Sequence, residues 1–323
     1  MTAARFPEVP DDAGHYESFY LRAVDPARPR GAWIRYTIHK RPGEEPVGSL
    51  WCTVFDAEYD GPAAVKETRP APRAADWIAV GDATLGPAAA HGQATGQDRR
   101  SAWELEIAGA EPPLRHLPSE WMYRAPLPRT KLESPAPDAT FGGWIEAAGR
   151  HVEVQGWRGM VGHNWGREHA ERWIWLHATA FADAPGAWLD VALGRIKVAG
   201  RTTPWVVNGV LELDGERLRL GGLTARGTQV RETPQQADIA VSGKGVRVHV
   251  AVRAPERQTV GWIYADPAGG AHHVANCSIA ALSLRVERRG RLPLELATAH
   301  GAAYELGTRE PLPGVPVQPF ADP

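Results

Sequence analysis

The chain has 323 residues, 43% hydrophobic and 23% charged, with 36 Lys and Arg against 38 Asp and Glu. That length fits about two domains with large cores, and the composition excludes a disordered chain. No run approaches the ~20 apolar residues of a membrane-spanning helix, and no basic stripe marks a nucleic-acid binder. Residues 1–10 hold no apolar run, so a cleaved secretion signal is not expected and the cytoplasm is the default location. Ile34, Tyr36 and Ile38 alternate with Arg35, Thr37 and His39, as Trp103, Leu105 and Ile107 do with Ala102, Glu104 and Glu106. Further on, Val246, Val248, Val250 and Val252 alternate with Arg247, His249, Ala251 and Arg253. Side chains change face at every residue of a strand, so each segment predicts one buried and one wet face. Glycine (34 residues) and proline (28) are scattered between such segments, which predicts an all-β chain of antiparallel sandwiches or barrels. Leu211 to Leu218 reads as a hairpin, because Asp214-Gly215 supplies the positive φ angles of a type I′ turn. Helical evidence is confined to residues 166–172, enough for one or two turns.

Seven prolines fall between Glu111 and Ala139. Proline cannot donate to an interior ladder, so this segment reads as a connection between two β units, residues 1–125 and 126–323. Cys52 and Cys277 sit in apolar, strand-like surroundings outside any CxxC pair. Two inert, buried thiols are expected, and a disulfide framework or structural zinc site is excluded on count.

The segment 156–181 departs from the half-wet pattern. Trp157, Trp165, Trp173 and Trp175 concentrate there with His163 and His177. The strand 173–181 is apolar on both faces, with Ile174, Leu176 and Ala178 on one and Trp173, Trp175, His177 and Phe181 on the other. An aromatic face carrying a His and a Thr suits the wall of an apolar ligand cavity; it also fits a core histidine among bulky packing residues, and both readings stand. His272-His273 and the pair His163/His169 come without carboxylate or Cys ligands at metal-binding spacings, so no metal or other cofactor is expected. Glu17 reads as a charge at a barrel rim and Lys66 as part of a solvated strand face. A Gly-x-Ser-x-Gly elbow and a phosphate-binding glycine loop are both missing.

Gly162-His163-Asn164-Trp165-Gly166, followed by a Trp-x-Trp strand, resembles the His-Asn/Gln-Trp-Gly segment of the carotenoid 1,2-hydratase (hydroxyneurosporene synthase)/AttH-like family. His15-Tyr16-Glu17-Ser18-Phe19-Tyr20 resembles that family's Glu-Trp-Trp-Tyr opening strand, with Ser18 and Phe19 departing from it. The resemblance implies two lipocalin-like β-barrels in tandem and a cofactor-independent hydratase or cyclase acting on a hydrophobic polyene or isoprenoid-like molecule in an apolar barrel cavity. The family often carries an acidic residue before the His, where this chain has Gly162. Hydration needs a proton donor to a carbon–carbon double bond, and a buried carboxylic acid suits that task. Asp190, in Trp188-Leu189-Asp190, matches the family's aromatic-x-Asp element and is the candidate donor, although a turn-forming strand-edge Asp would look the same. His163 and His177 are the candidates for handling the water's proton. Tyr20, Asn164, Trp165, Trp173, Trp175 and Trp188 are the candidate substrate-binding residues. A non-catalytic lipocalin-like carrier of a hydrophobic ligand is the alternative.

Overall fold

The computed structural model describes residues 2–109, 111–198, 200–222 and 227–323. Strands hold 62% of the residues, and the described ones contain three short 3-10 turns but no α-helix. No helix among them is long and apolar enough to cross a membrane. The first barrel contains β1 (His15–Val24), β2 (Arg30–Lys40), β3 (Val47–Asp56), β4 (Ala63–Pro70), β5 (Ile78–Val80), β6 (Ala83–Leu85), β7 (Ala89–Gly96), β8 (Arg99–Ala108), β9 (Leu114–Arg115), β10 (Thr130–Ala147) and β11 (Arg150–Gly166). Its antiparallel order is β4-β3-β2-β1-β11-β10-β8-β7-β6-β5, a nearly closed ten-strand barrel. Side chains bridge the remaining seam: Arg69 Nη2 donates to the Gln93 carbonyl (3.1 Å), and the Thr95 amide donates to Glu67 (2.7 Å).

The second barrel contains β12 (Arg172–Ala178), β13 (Trp188–Arg195), β16 (Val206–Leu213), β17 (Glu216–Gly221), β18 (Gln229–Thr233), β19 (Gln236–Gly243), β20 (Val246–Arg253), β21 (Val260–Ala265), β22 (Ala271–Arg288) and β23 (Leu294–Thr308), while β14 (Lys197–Val198) and β15 (Arg201–Thr202) form a separate two-stranded ribbon between β13 and β16. Eight of these close in the order β17-β16-β13-β12-β23-β22-β20-β19, with Leu220 pairing to Gly243 to complete the ring. The Asp214-Gly215 turn has φ of 55° and 80°, as its sequence predicts for a type I′ hairpin. The alternation at 103–107 and 246–252 also buries the expected faces.

Three expectations change. Residues 126–166 belong to the first barrel, so its last strand ends at Gly166 and the boundary expected at 125/126 falls inside it. The prolines misled because Pro135 and Pro137 lie in β10 where its register against β11 shifts, between Glu133 and Ala136 and again between Ala136 and Ala139. Irregularities of this kind are where a strand tolerates proline. Residues 167–171 make no helical turn; they link the barrels, with Glu168 and Glu171 paired to Arg309 at 2.7 and 3.1 Å.

The third change concerns the faces expected to be wet. In β1, β2 and β3 the inner residues, such as Phe19, Ile34, Tyr36 and Leu50, fill the first barrel. The outer residues, such as Trp33, Trp51 and Phe55, join the core cluster of the second. The strands are therefore buried on both sides. Trp262 of β21 packs on Trp51 (ring centroids 4.9 Å) and Trp33 (6.4 Å) across the junction. The tail closes the same region: Phe320 stacks on Trp262, and Lys66 reaches the Ala321 carbonyl (2.6 Å) and Asp322. Lys66 is therefore buried, not part of a solvated face. Cys52 and Cys277 are buried and free, and burial pushes both thiols up to about 12.

The second barrel's core continues onto the outer face of the first through Trp33, Trp51 and Phe55, which predicts that the barrels unfold together. Trp262→Ala should cost about 3–5 kcal/mol, read as a lower urea midpoint, with a single transition retained. Two resolved transitions in the native protein would contradict the shared core.

Candidate functional site

A cavity of about 360 Å³ lies between the two barrels, not inside either of them. Its volume is in the usual range for small-molecule sites, roughly 300–1,000 Å³. One wall is the outer face of the first barrel, with Tyr16 and Tyr20 of β1, Trp33 and Arg35 of β2, and Asn164 of β11. The opposite wall is Trp173 and Trp175 of β12, with Tyr264 and Glu305 beside them. The connection before β10 covers the space with Leu117, Met122, Leu127 and Pro128, and supplies His116. The period of two selects these residues: Tyr16, Tyr20 and Asn164 point out of a barrel whose interior takes Phe19, Leu21 and Val161.

Of the residues expected from sequence, Tyr20, Asn164, Trp173 and Trp175 border the cavity. His163 does not. It points into the first barrel, fully buried, stacked between Phe19 (3.8 Å) and Trp165 (4.5 Å). Its Nε2 is 2.7 Å from Glu17 and its Nδ1 is 3.2 Å from Glu133. Glu17, expected at a rim, is fully buried, and it also accepts the amides of Arg5 and Phe6. Burial works to raise its carboxyl, but His15 and His163 bring it down to about 2. His163 is thus the centre of a buried polar network that ties the amino-terminal segment to β1 and β10. Trp165 stacks over that network beneath Arg5 (5.2 Å).

His177 is also behind the wall. Its Nε2 donates to the Pro137 carbonyl (3.1 Å), leaving Nδ1 to accept from Arg22 Nη1 (3.3 Å), while Arg22 Nη2 holds the Ser278 carbonyl (2.9 Å). Burial, then the Arg22 charge, lower the imidazole to about 3, so it stays neutral at ordinary pH. It fastens β12 to β1 and β10. Trp188 is buried among Leu114 and Val210 under Arg217, away from the cavity.

Asp190 pairs with His177 in the ladder and is fully buried one layer behind the cavity. It accepts Ser134 Oγ (2.5 Å) and Trp175 Nε1 (3.1 Å), and His116 Nε2 is 3.3 Å away. Burial alone would raise its carboxyl; His116, His177 and Ser134 outweigh that and hold it below the ordinary aspartate range. Asp190 is therefore a carboxylate, where the sequence reading needs a neutral acid. His116, which lines the cavity, is the residue that reading missed. Its Nε2 meets Ser134 Oγ (3.1 Å), and Nδ1 lies 3.3 Å from the carbonyl of Asn208, another lining residue. It sits in the proline-rich connection, with no periodic signal around it.

The structure also groups His169, Asp266 and His272, whose ligand atoms lie within 4.8 Å of one another. Among the described residues this is the one cluster with the make-up of a metal-binding set, and Asp266 supplies the carboxylate that sequence spacing did not reveal. His169 Nδ1 is already 2.8 Å from Asp266 Oδ1, and Arg309 Nη2 stands 3.4 Å from Oδ2, so the carboxylate has a cation beside it.

Gly162 has a steric reason. A Cβ there would sit 2.2 Å from Cζ of Tyr20, whose ring covers the glycine and meets Trp175 edge-on at 5.4 Å. Tyr20 thus occupies the space that the family's acidic side chain would need. Gly162→Ala should cost about 1–3 kcal/mol by overpacking, and combining it with Tyr20→Leu should cost less than the sum of the two single changes. Additive costs in thermal unfolding would count against the exclusion. For Glu17, the folded carboxyl is below its unfolded value, so its stabilisation is present above about pH 4.5 and lost as pH falls toward about 2. Glu17→Gln should flatten the loss of stability across that window, measured by urea unfolding at stepped pH; an unchanged slope would refute it.

No protein-family model matches the chain. Two uncharacterized Mycobacterium tuberculosis proteins, MT0513 (strain CDC 1551 / Oshkosh) and Rv0493c (strain ATCC 25618 / H37Rv), are each 27% identical over 326 aligned residues, covering 96% of this chain and 92% of theirs. Among solved structures, CghA with Sch210972 superposes with a TM-score of 0.60 at 11% identity, covering 91% of this chain and 88% of that one. Kievitone hydratase from Nectria haematococca gives 0.51 at 8% identity, covering 92% and 90%. The Nitrosomonas europaea protein NE1406, provisionally designated AttH, gives 0.50 at 14% identity, covering 95% and 97%. At these identities the likeness carries the architecture: the chain has the tandem-barrel fold of the AttH-like proteins that its His163-Asn164-Trp165-Gly166 segment resembles.

Proposed function

We propose that the protein is a hydratase- or cyclase-type enzyme that holds a hydrophobic polyene or isoprenoid-like molecule in the cavity between the barrels, its proton chemistry supplied by its own side chains. The observation that carries this reading is His116 in the wall of a largely apolar cavity, with Asp190 buried directly behind it. A buried acid–base pair beside an apolar space is a costly arrangement for packing alone. The tandem-barrel neighbours include a kievitone hydratase, which supports a hydratase-type reaction.

In this arrangement His116 is the catalytic residue and Asp190 a positioning residue. Asp190 faces the Nε2 side of the ring and balances the positive charge of the protonated imidazole, as the carboxylate does in a Ser-His-Asp triad. The Nδ1 edge lies toward Asn208 and the cavity, and its 3.3 Å contact is long enough to yield to a substrate. The proton passes from Nδ1 to a carbon of a substrate double bond, leaving a tertiary carbocation against the faces of Trp173 and Trp175. Water adds to the cation and returns its proton to the imidazole, so one water is consumed and His116 is regenerated. In a cyclisation the same walls fold the chain, and orientation supplies the acceleration.

His116→Asn should lower kcat about 100-fold or more on an acyclic polyene with a terminal isopropylidene group. Asp190→Asn should lower kcat by a smaller factor, with KM nearly unchanged. Products are followed by chromatography with mass detection. Full turnover in both variants would remove the assigned roles, and recovery of a bound, unchanged polyene from active-concentration protein would favour the carrier.

A further inference from the structure

Arg35 is a buried cation without a counter-charge. It is 5% exposed, on the outer face of β2 in the cavity wall. Its guanidinium lies over Tyr264 (4.3 Å), Trp33 (5.0 Å) and Trp51 (5.2 Å). Only Nε has a hydrogen-bond partner among the described residues, Ser18 Oγ at 3.0 Å. Nη1 is buried with none, and no carboxylate of the described residues lies within 4.0 Å of the group. Glu305, the acid on the facing wall, is committed elsewhere: it accepts Trp173 Nε1 (2.9 Å), Tyr264 OH (3.2 Å) and Asn276 Nδ2 (3.1 Å).

The other buried cations of this region have more partners, although Arg22 Nε is likewise buried without one. Arg22 holds the Ser278 carbonyl, Lys66 holds Asp322 and the Ala321 carbonyl, and Lys131 holds the carbonyls of Ala125 and Pro128. A guanidinium has five N–H donors, and leaving most of them unmet while the charge is desolvated is costly. Aromatic faces offset part of that cost but accept no in-plane hydrogen bond. What Arg35 lacks, the cavity can admit.

We propose that Arg35 is the head-group site of the cavity, and that the ligand is an amphipathic organic anion. A carboxylate or enolate oxygen of the ligand meets the guanidinium, and the apolar body lies against Tyr20, Trp173 and Trp175. This deepens the reading of the cavity as the substrate site and rests on it. Arginine suits the task because its planar fork takes two oxygens of one carboxylate. The anchor would also set register, placing a fixed carbon of the chain opposite His116.

The test is calorimetric binding of decanoate and of uncharged decanol to the native protein, to Arg35→Met, and to Arg35→Gln, which keeps an amide donor for Ser18. The expected result is that native protein binds decanoate at least about tenfold more tightly than decanol. Both variants should lose that preference and retain decanol binding. Should Arg35→Met fail to fold, Arg35→Gln carries the comparison. Equal binding of the two ligands by native protein, or a preference that survives in the variants, overturns the anion site and leaves the apolar cavity standing. Binding of neither ligand to a folded native protein overturns both.

Discussion

Burial of one barrel's outer face against the other is the constraint on which the rest depends. A closed barrel normally turns alternate residues of every strand to water, yet β1, β2 and β3 have no wet side along most of their length. Large aromatics such as Trp33 and Trp51 make that burial favourable. The polar residues interleaved with them come along by periodicity alone, since the strand cannot send Trp33 inward without sending Arg35 with it. Each buried polar group must then find a partner across the junction or be left for a ligand. Arg22 finds Ser278 across the junction, and Tyr16 finds Thr130 within its own barrel (2.7 Å). Among the described residues Arg35 finds only Ser18 as a hydrogen-bond partner.

The same constraint decides where the cavity lies. Both barrel interiors are filled by continuous apolar clusters, so neither offers the hollow that a lipocalin-like barrel often encloses. Two convex surfaces packed on one another leave a gap where their curvatures part, and the connection before β10 roofs it. The site is composite as a result: Tyr20, Trp33, Arg35 and Asn164 belong to the first barrel, Trp173, Trp175, Tyr264 and Glu305 to the second, and His116 to the segment between β9 and the 3-10 turn. Its geometry exists only while the barrels are docked.

Local features of the sequence were legible and junction features were not. The hairpin at Asp214-Gly215 depends on two residues, and the alternations at 103–107 and 246–252 depend on a handful. Such signals sit inside one strand. The two-faced apolarity of 173–178 was also legible, and Trp173 and Trp175 do face the cavity while Leu176 fills the barrel behind them and Ile174 belongs to that core and touches the cavity edge. By contrast Arg35, Thr37 and His39 read as a wet face because nothing within β2 reports that a second barrel covers it. β10 was hidden because its prolines coincide with register shifts against β11, and the pattern on either side of a shift changes face. His116 was hidden because its partners, Ser134 and Asp190, are 18 and 74 residues distant along the chain and meet only in the folded junction. His163 was found and misplaced: its motif marks a real structural centre, but β11 turns it toward Glu17 and Glu133 and turns Asn164 toward the cavity.

That misplacement bears on how an AttH-like scaffold could accommodate chemistry without the acid that usually precedes the His. With glycine at 162 the outer face of β11 is bare at that point, and Tyr20 from the neighbouring strand lies down across it. The ring then meets Trp175, and Trp175 in turn donates its indole N–H to Asp190. Glycine at 162 thus shapes the junction as well as the strand. It lets the first barrel's aromatic face reach the second barrel's carboxylate wall through two ring contacts. A carboxylate on β11 would be incompatible with this seating of Tyr20, whereas one on β13 supports it from behind. The carboxylate that Trp175 meets is Asp190 of β13, which burial alone would raise and which His116, His177 and Ser134 hold below the ordinary aspartate range.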